Sequence, residues 1–470
     1  MDIQCLYDVI AIMCAKICSL DKNSESRLYR NHWSNIDTNI KRLYERFPFL
    51  NPGENSSETM FDDIDEEQWC ELLQFVEDSE YVDLALLSRL DHIVDLEKGL
   101  KKFFSCSEFD IHTFSALNSN VDVCGGKLIP KYTPKWKKVN ERSRSELGEK
   151  ALSILQNYIW IKNSDDSGWE INNFYSREWE YMGDAPFKIV CSPLINKEPF
   201  DVDKDVEGGT KYFYIKYYDD MKDIVAERVE ETLDYAAEQE ADIALFPEMV
   251  AYPELHERIQ GYLKKRWDKL YPKIIFLPSS EHNRDGQWKD KTYAIDASGD
   301  NIFEYCKQHP YQWDMYEEIG KKPIKVKCFE PIQSDHKISI IHYKGVGRIG
   351  VCICSDLFND ELMHLLFKTY NIDLLLILSY SEGTDRFERS ISIAQDTVCD
   401  VVWCNCCAAY IEQPPKKKRS KNKKTAVSYF PFGHAEKSDD YTLLYRCSDS
   451  ECESCSKCKM MIEINSSYRG

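Results

Sequence analysis

Apolar positions along the chain follow two different rhythms. Through residues 2–155 they recur at helical spacing, as in Ile40-Lys41-Arg42-Leu43-Tyr44-Glu45-Arg46-Phe47, Trp69-Cys70-Glu71-Leu72-Leu73-Gln74-Phe75-Val76 and Leu84-Ala85-Leu86-Leu87-Ser88-Arg89-Leu90. Asn51-Pro52-Gly53-Glu54-Asn55-Ser56-Ser57 interrupts them as a loop. A second helical group is predicted over 143–161, followed by the polar linker Asn163-Ser164-Asp165-Asp166-Ser167-Gly168. These features predict an acidic helical domain of about five helices over residues 1–165. Beyond residue 186 the rhythm changes to short, continuous apolar runs, the pattern of strands buried on both faces. Such runs are Phe187-Lys188-Ile189-Val190-Cys191, Ile243-Ala244-Leu245-Phe246, Lys273-Ile274-Ile275-Phe276-Leu277, Ile302-Phe303-Glu304-Tyr305-Cys306, Asp373-Leu374-Leu375-Leu376-Ile377-Leu378-Ser379 and Asp400-Val401-Val402-Trp403-Cys404-Asn405. Residues 223–240 have helical spacing between the first two runs, so strands alternate with helices as in an α/β fold.

Chemistry gathers where the apolar runs end. Cys354 closes Arg348-Ile349-Gly350-Val351-Cys352-Ile353-Cys354, and an amphipathic helix is predicted from Leu357 to Phe367. A cysteine at a helix start faces unpaired N–H groups and the positive end of the dipole, which favour thiolate and a developing oxyanion. Glu248 follows one run through Pro247, and Lys307 follows another. A base, a cation and a thiol suit covalent hydrolysis. Singly, each has a plainer reading: a solvated turn carboxylate, a surface lysine and a small buried thiol.

Together these residues resemble a known series. Phe246-Pro247-Glu248, then Tyr305-Cys306-Lys307-Gln308-His309, then Gly350-Val351-Cys352-Ile353-Cys354-Ser355-Asp356, is similar to the Glu–Lys–Cys motifs of the nitrilase (carbon–nitrogen hydrolase) superfamily. The resemblance covers residues 186–465 and implies a four-layer αββα sandwich, here with an N-terminal helical domain. It implies that Glu248 is the base, Lys307 the oxyanion cation and Cys354 the nucleophile. A second glutamate after the lysine is part of the same pattern, with Glu317 preferred over its neighbour Glu318. Ser355 stands where an aromatic residue is usual, and Thr292 where asparagine is usual. His309 invites a Cys–His protease reading, which leaves the strand–Glu248 element unexplained.

Net charge is −20, from 60 basic and 80 acidic residues, which argues against general affinity for nucleic acid or anionic membrane. The apolar stretch from Cys5 to Leu20 carries Asp8 and Lys16, is too short to span a bilayer and lacks the marks of a signal peptide. The 19 cysteines are odd in number and scattered, which fits reduced thiols in a cytoplasmic protein better than a disulfide framework. One basic run, residues 414–424, is expected to be a solvated loop that selects anionic substrates or grips an acidic partner, with a nuclear signal or nucleic-acid contact as the alternative. Cys447, Cys452, Cys455 and Cys458 have the spacing of a zinc knuckle or an iron–sulfur loop. Unliganded thiols at the tip between two paired strands are the plainer reading.

The reaction expected is hydrolysis of a non-peptide carbon–nitrogen bond in a small amide or nitrile, through a Cys354 thioester. Amide is preferred because amidases are the commoner case under this resemblance. No cofactor is needed for catalysis, and structural zinc is confined to the four cysteines. The resemblance also implies a homodimer or larger homo-oligomer, and the helical domain offers a surface for a protein partner. Two alternatives stay open: a non-hydrolytic scaffold or sensor in a larger complex, conceivably a prokaryotic defence assembly, and an acyl or amide transferase using the same thioester.

Overall fold

The computed structural model describes residues 4–51, 64–79, 82–93, 114–117, 121–123, 126–132, 157–162, 168–180, 185–195, 197–266, 269–284, 287–319, 322–381, 399–409, 424–430, 443–447 and 459–464, with a few single residues between them. The chain divides into two compact units, one of residues 1–111 and 116–167, the other of 112–115 and 168–470.

In the first unit the helical rhythm produces Gln4–Ser19, Lys22–Ser34, Ile36–Arg46, Glu66–Asp78 and Leu84–Ile93. Their apolar stripes converge on Val9, Met13, Ile17, Leu43, Trp69, Leu72, Leu86 and Leu90. Caps fix the boundaries. Asp21 accepts from the N–H groups of Asn23 and Ser24, and Asp65 with Gln68 closes a reciprocal capping box. The unit is not helical throughout. Val121–Val123, Gly126–Pro130 and Tyr158–Lys162 form a small antiparallel sheet. Where a helix is expected over 143–161, residues 158–161 are strand, because Tyr158, Trp160 and Ile161 are aromatic and β-branched residues that bury better on a pleated surface; residues 143–151 lie outside the described residues.

The second unit is built on two large sheets. In one, Glu170–Glu180, Lys337–Lys344, Gly347–Ile353, Leu374–Ser379, Asp400–Asn405, Lys424–Phe430 and Leu443–Cys447 lie side by side in that order. Its three middle strands are parallel and buried along their whole length, as their continuous apolar runs require. In the other, the order is Ser280–Arg284, Gln287–Ile295, Ile274–Phe276, Ile243–Leu245, Phe187–Cys191 and Met460–Ile464, and Asn301–Cys306 pairs with Gln287–Ile295. The sheets meet through Phe187 against Tyr343 and Phe174 against Phe303, with ring centroids 6.0 and 4.9 Å apart. Helices Asp219–Glu238 and Leu255–Lys264 cover the second sheet, packing Val225, Val229, Leu233 and Ile259 on Ala244, Phe246 and Ile275. Leu366, beyond the nucleophile strand, packs with Ile372 over Gly350.

Three expectations are corrected. The helix predicted from Leu357 to Phe367 is broken into a 3₁₀ turn, Cys354–Phe358, one α-turn, Asp360–His364, and a π-turn, Leu365–Thr369. Asn359 restarts it by accepting from the N–H groups of Glu361 and Leu362. The strands flanking the cysteine run are not partners: Leu443–Cys447 pairs with Lys424–Phe430, whereas Met460–Ile464 pairs with Phe187–Cys191 in the other sheet. A four-stranded sheet, in the order Gln312–Ile319, Lys322–Phe329, Thr210–Tyr217 and Phe200–Glu207, had no counterpart in the apolar pattern. Phe200, Phe213, Ile215 and Cys328 mark its buried side, with Val202, Tyr217, Trp313, Met315 and Val326 partly buried against them.

The turn that opens the nucleophile strand depends on one glycine. Gly347 has φ +96°, and a Cβ there would lie 2.8 Å from Cγ of Asp373, the carboxylate that holds Arg348 at 2.9 Å. Gly347→Ala is expected to destabilise the protein by about 2 kcal/mol or more. A lowered melting temperature would show it, and an unchanged one would refute this account of the turn.

Candidate active site

Three strand ends deliver the site. Ile243–Leu245 leads through Phe246 and Pro247 to Glu248, Asn301–Cys306 to Lys307, and Gly347–Ile353 to Cys354. The structure brings these side chains together, all at most 5% exposed. Lys307 Nζ donates to Glu248 Oε1 at 2.6 Å. The same ammonium reaches Glu330 at 2.7 Å, and Glu330 follows the strand Lys322–Phe329. The second carboxylate on the lysine is thus Glu330. Glu317 lies within the strand Gln312–Ile319, opposite Ile324, and its side chain lies outside the described residues. Sequence reasoning missed Glu330 because the intervening hairpin moves it 23 residues along the chain from Lys307.

Each carboxylate is also held by a backbone N–H. The N–H of Tyr380 donates to Glu248 Oε2 at 2.8 Å, and that of Tyr311 donates to Glu330 Oε2 at 2.8 Å. Burial works against the charge on Lys307, but Glu248 and Glu330 outweigh it and hold the ammonium well above its ordinary pKa. Two further buried acids surround the triad. Asp290 is pushed well up, by burial first and then by Glu248. Glu281 is pushed up to about 8, by burial and then by Glu330, although its Oε2 accepts from the N–H of Ile215 at 3.0 Å. Neither was singled out from sequence, since an acid in a mixed polar strand reads as solvated.

Cys354 opens the 3₁₀ turn at φ +45°, a left-handed conformation that costs a non-glycine residue about 1–3 kcal/mol. The Ser379 hydroxyl approaches its sulfur at 3.6 Å. Burial raises the thiol pKa well above its ordinary value, and Glu248 adds to this, while Lys307 and Ser379 oppose it. The balance at the resting sulfur therefore favours the thiol. The depressed pKa expected from a helix start does not arise, because the following element is a short 3₁₀ turn inside a dry pocket. His309 is half-buried, and burial with Lys307 nearby keeps its imidazole pKa below the usual value. Thr292 donates its hydroxyl to the carbonyl of Leu277 at 2.6 Å, and Asn405 is bound to the backbone of Ser381 in both directions.

Among the described residues, Glu248, Asp290 and Glu330 have ligand atoms within 4.8 Å of one another. Lys307 already supplies a cation to two of them. The cysteines at 452, 455 and 458, the side chain of Cys447 and the basic run over 414–423 lie outside the described residues.

No protein-family model matches the chain, and no curated protein matches it in sequence. Solved structures do. The chain is similar to amidases of the nitrilase superfamily. Against the amidase from Nesterenkonia sp. AN1, identity is 12% and the TM-score 0.34, over 48% of this chain and 78% of the amidase. That structure is of a mutant of the amidase and shows covalent addition of the acetamide moiety of fluoroacetamide at its active-site cysteine. NitFhit from C. elegans is 16% identical with a TM-score of 0.38, over 61% of this chain and 62% of that one. A glutamine-dependent NAD+ synthetase from Acinetobacter baumannii is 19% identical with a TM-score of 0.32, over 47% and 38% of the two chains. Among the described residues, no helix is long and apolar enough to cross a membrane.

A raised thiol pKa has a measurable sign. Because Cys354 is held protonated, its alkylation by iodoacetamide should keep rising with pH through about 9, the upper range of an ordinary thiol, without levelling off. A plateau reached by about pH 7 would mean a depressed pKa and would contradict this geometry.

Proposed function

We propose that the second unit is a four-layer αββα sandwich of the nitrilase type that hydrolyses a non-peptide carbon–nitrogen bond, with a small amide as substrate. The observation that carries this reading is the buried Glu248–Lys307 pair at 2.6 Å beside the sulfur of Cys354. Two stacked sheets with helices outside are the support for the layer order.

In this reading Glu248 takes the thiol proton as Cys354 attacks the amide carbon, forming the carbon–sulfur bond. Negative charge moves to the carbonyl oxygen, where the Lys307 ammonium stabilises it with the N–H of Ser355. Collapse breaks the carbon–nitrogen bond, and the proton held on Glu248 passes to the leaving amine. Water, deprotonated by Glu248, then cleaves the thioester and restores the thiol. Glu330 shares Lys307 throughout, so the ammonium stays aimed while Glu248 changes its protonation state. A buried, protonated nucleophile also suits the task, since it is protected from adventitious oxidation until a substrate arrives.

The test is ammonia release from a panel of small primary amides. Release should be abolished in Cys354→Ala and cut on the order of a hundredfold or more in Glu248→Gln. Glu330→Gln should also be strongly impaired, because it leaves Lys307 with one counter-charge. Ammonia release that persists in Cys354→Ala would overturn the reading.

A further inference from the structure

One side chain joins the nucleophile turn to the lysine strand. Asp356 is fully buried and accepts hydrogen bonds with both oxygens. Its Oδ1 takes the backbone N–H groups of Gln308 and His309, each at 2.7 Å. Its Oδ2 takes the N–H of Ile353 at 3.0 Å and the hydroxyl of Tyr305 at 2.8 Å. The neighbouring Ser355 hydroxyl donates back to the carbonyl of His309 at 2.6 Å. Three of the four bonds to Asp356 thus cross between segments about 50 residues apart in the chain, and they fall on both sides of Lys307. The fourth closes the turn around Cys354, the residue held at φ +45°.

This arrangement has a mechanical consequence. A left-handed cysteine persists only where its surroundings over-determine the turn. Asp356 does so from the C-terminal side, using N–H groups that would otherwise be left in a dry interior. The same carboxylate sets where the end of the lysine strand lies relative to that turn. We propose that Asp356 is a positioning residue: it fixes the separation of the Cys354 sulfur and the Lys307 ammonium by clamping residues 305–309 to the nucleophile turn. Its effect on reactivity rests on the Glu–Lys–Cys reading above, whereas the clamp itself does not.

The experiment uses the full chain as wild type, Asp356→Asn and Tyr305→Phe. Asparagine keeps the size and one acceptor oxygen but replaces the other with a donor, which opposes the N–H of Ile353. Tyr305→Phe removes one bond only. Iodoacetamide alkylation of Cys354 is followed by peptide mass spectrometry against pH, with Cys407 as an internal reference. Hydrogen–deuterium exchange is followed in the peptide covering 305–311. Asp356→Asn should slow Cys354 alkylation on the order of tenfold and move its pH profile upward, because Lys307 recedes from the sulfur. The profile of Cys407 should stay in place, and exchange at 305–311 should rise. Tyr305→Phe should shift the same readouts in the same direction by less, and it decides the matter if the asparagine variant does not fold. Faster exchange at 305–311 with an unmoved Cys354 profile in both variants would reduce Asp356 to a structural residue and overturn the proposal. If wild type releases no ammonia from any amide, the hydrolase reading fails alone, and the alkylation and exchange results still judge the clamp.

Discussion

The second unit depends on a buried ammonium, that of Lys307, held between Glu248 and Glu330. Burying a charge costs several kcal/mol unless partners and hydrogen bonds replace its water. Here two carboxylates do so, and each is anchored in turn by a backbone N–H from a different segment. The triad therefore couples the glutamate strand, the lysine strand, the end of the hairpin and the backbone at Tyr380. Removing one member would strand a charge in the interior, which is worse than never having built the pair. Two buried carboxylates face a single ammonium, and that explains the neighbours of the cluster. Asp290 and Glu281 lie in a dry pocket beside carboxylates, so both are driven toward the neutral acid.

The same field governs the sulfur. Lys307 favours thiolate at Cys354, but burial and Glu248 favour thiol, and the balance lies with the thiol. In the proposed reaction, proton transfer at the moment of attack takes the place of a standing thiolate. Geometry then matters more than resting charge. The left-handed turn at Cys354 and the hydrogen bonds gathered by Asp356 are what such geometry requires.

The extra four-stranded sheet gives this site its individual wall. One hairpin of it, residues 312–329, lies in the chain between Lys307 and Glu330. The other, residues 200–217, sends the N–H of Ile215 to Glu281. Its apolar side packs Phe200 and Phe213 with Met249 and Tyr380, the residues adjoining Glu248 in sequence and by hydrogen bond. The packing around Glu248 is thus supplied in part by two hairpins from other stretches of the chain.

The apolar runs leading to Glu248 and Cys354 were legible because both strands are buried along their whole length, and the run before Lys307 because Phe303, Tyr305 and Cys306 are buried. The strands Phe187–Cys191, Leu374–Ser379 and Asp400–Asn405 were readable for the same reason, as were the capped amphipathic helices of the first unit. The strand Tyr158–Lys162 was read as helix because a short apolar run fits both periods. Glu330 and Asp356 were legible only as acids, since what distinguishes them is a partner far along the chain. Sequence alone determined which residues stand at strand ends, a local matter of period and propensity. Tertiary structure decided which carboxylate shares the lysine and which way the thiol titrates, because burial and charge proximity are properties of the packed interior.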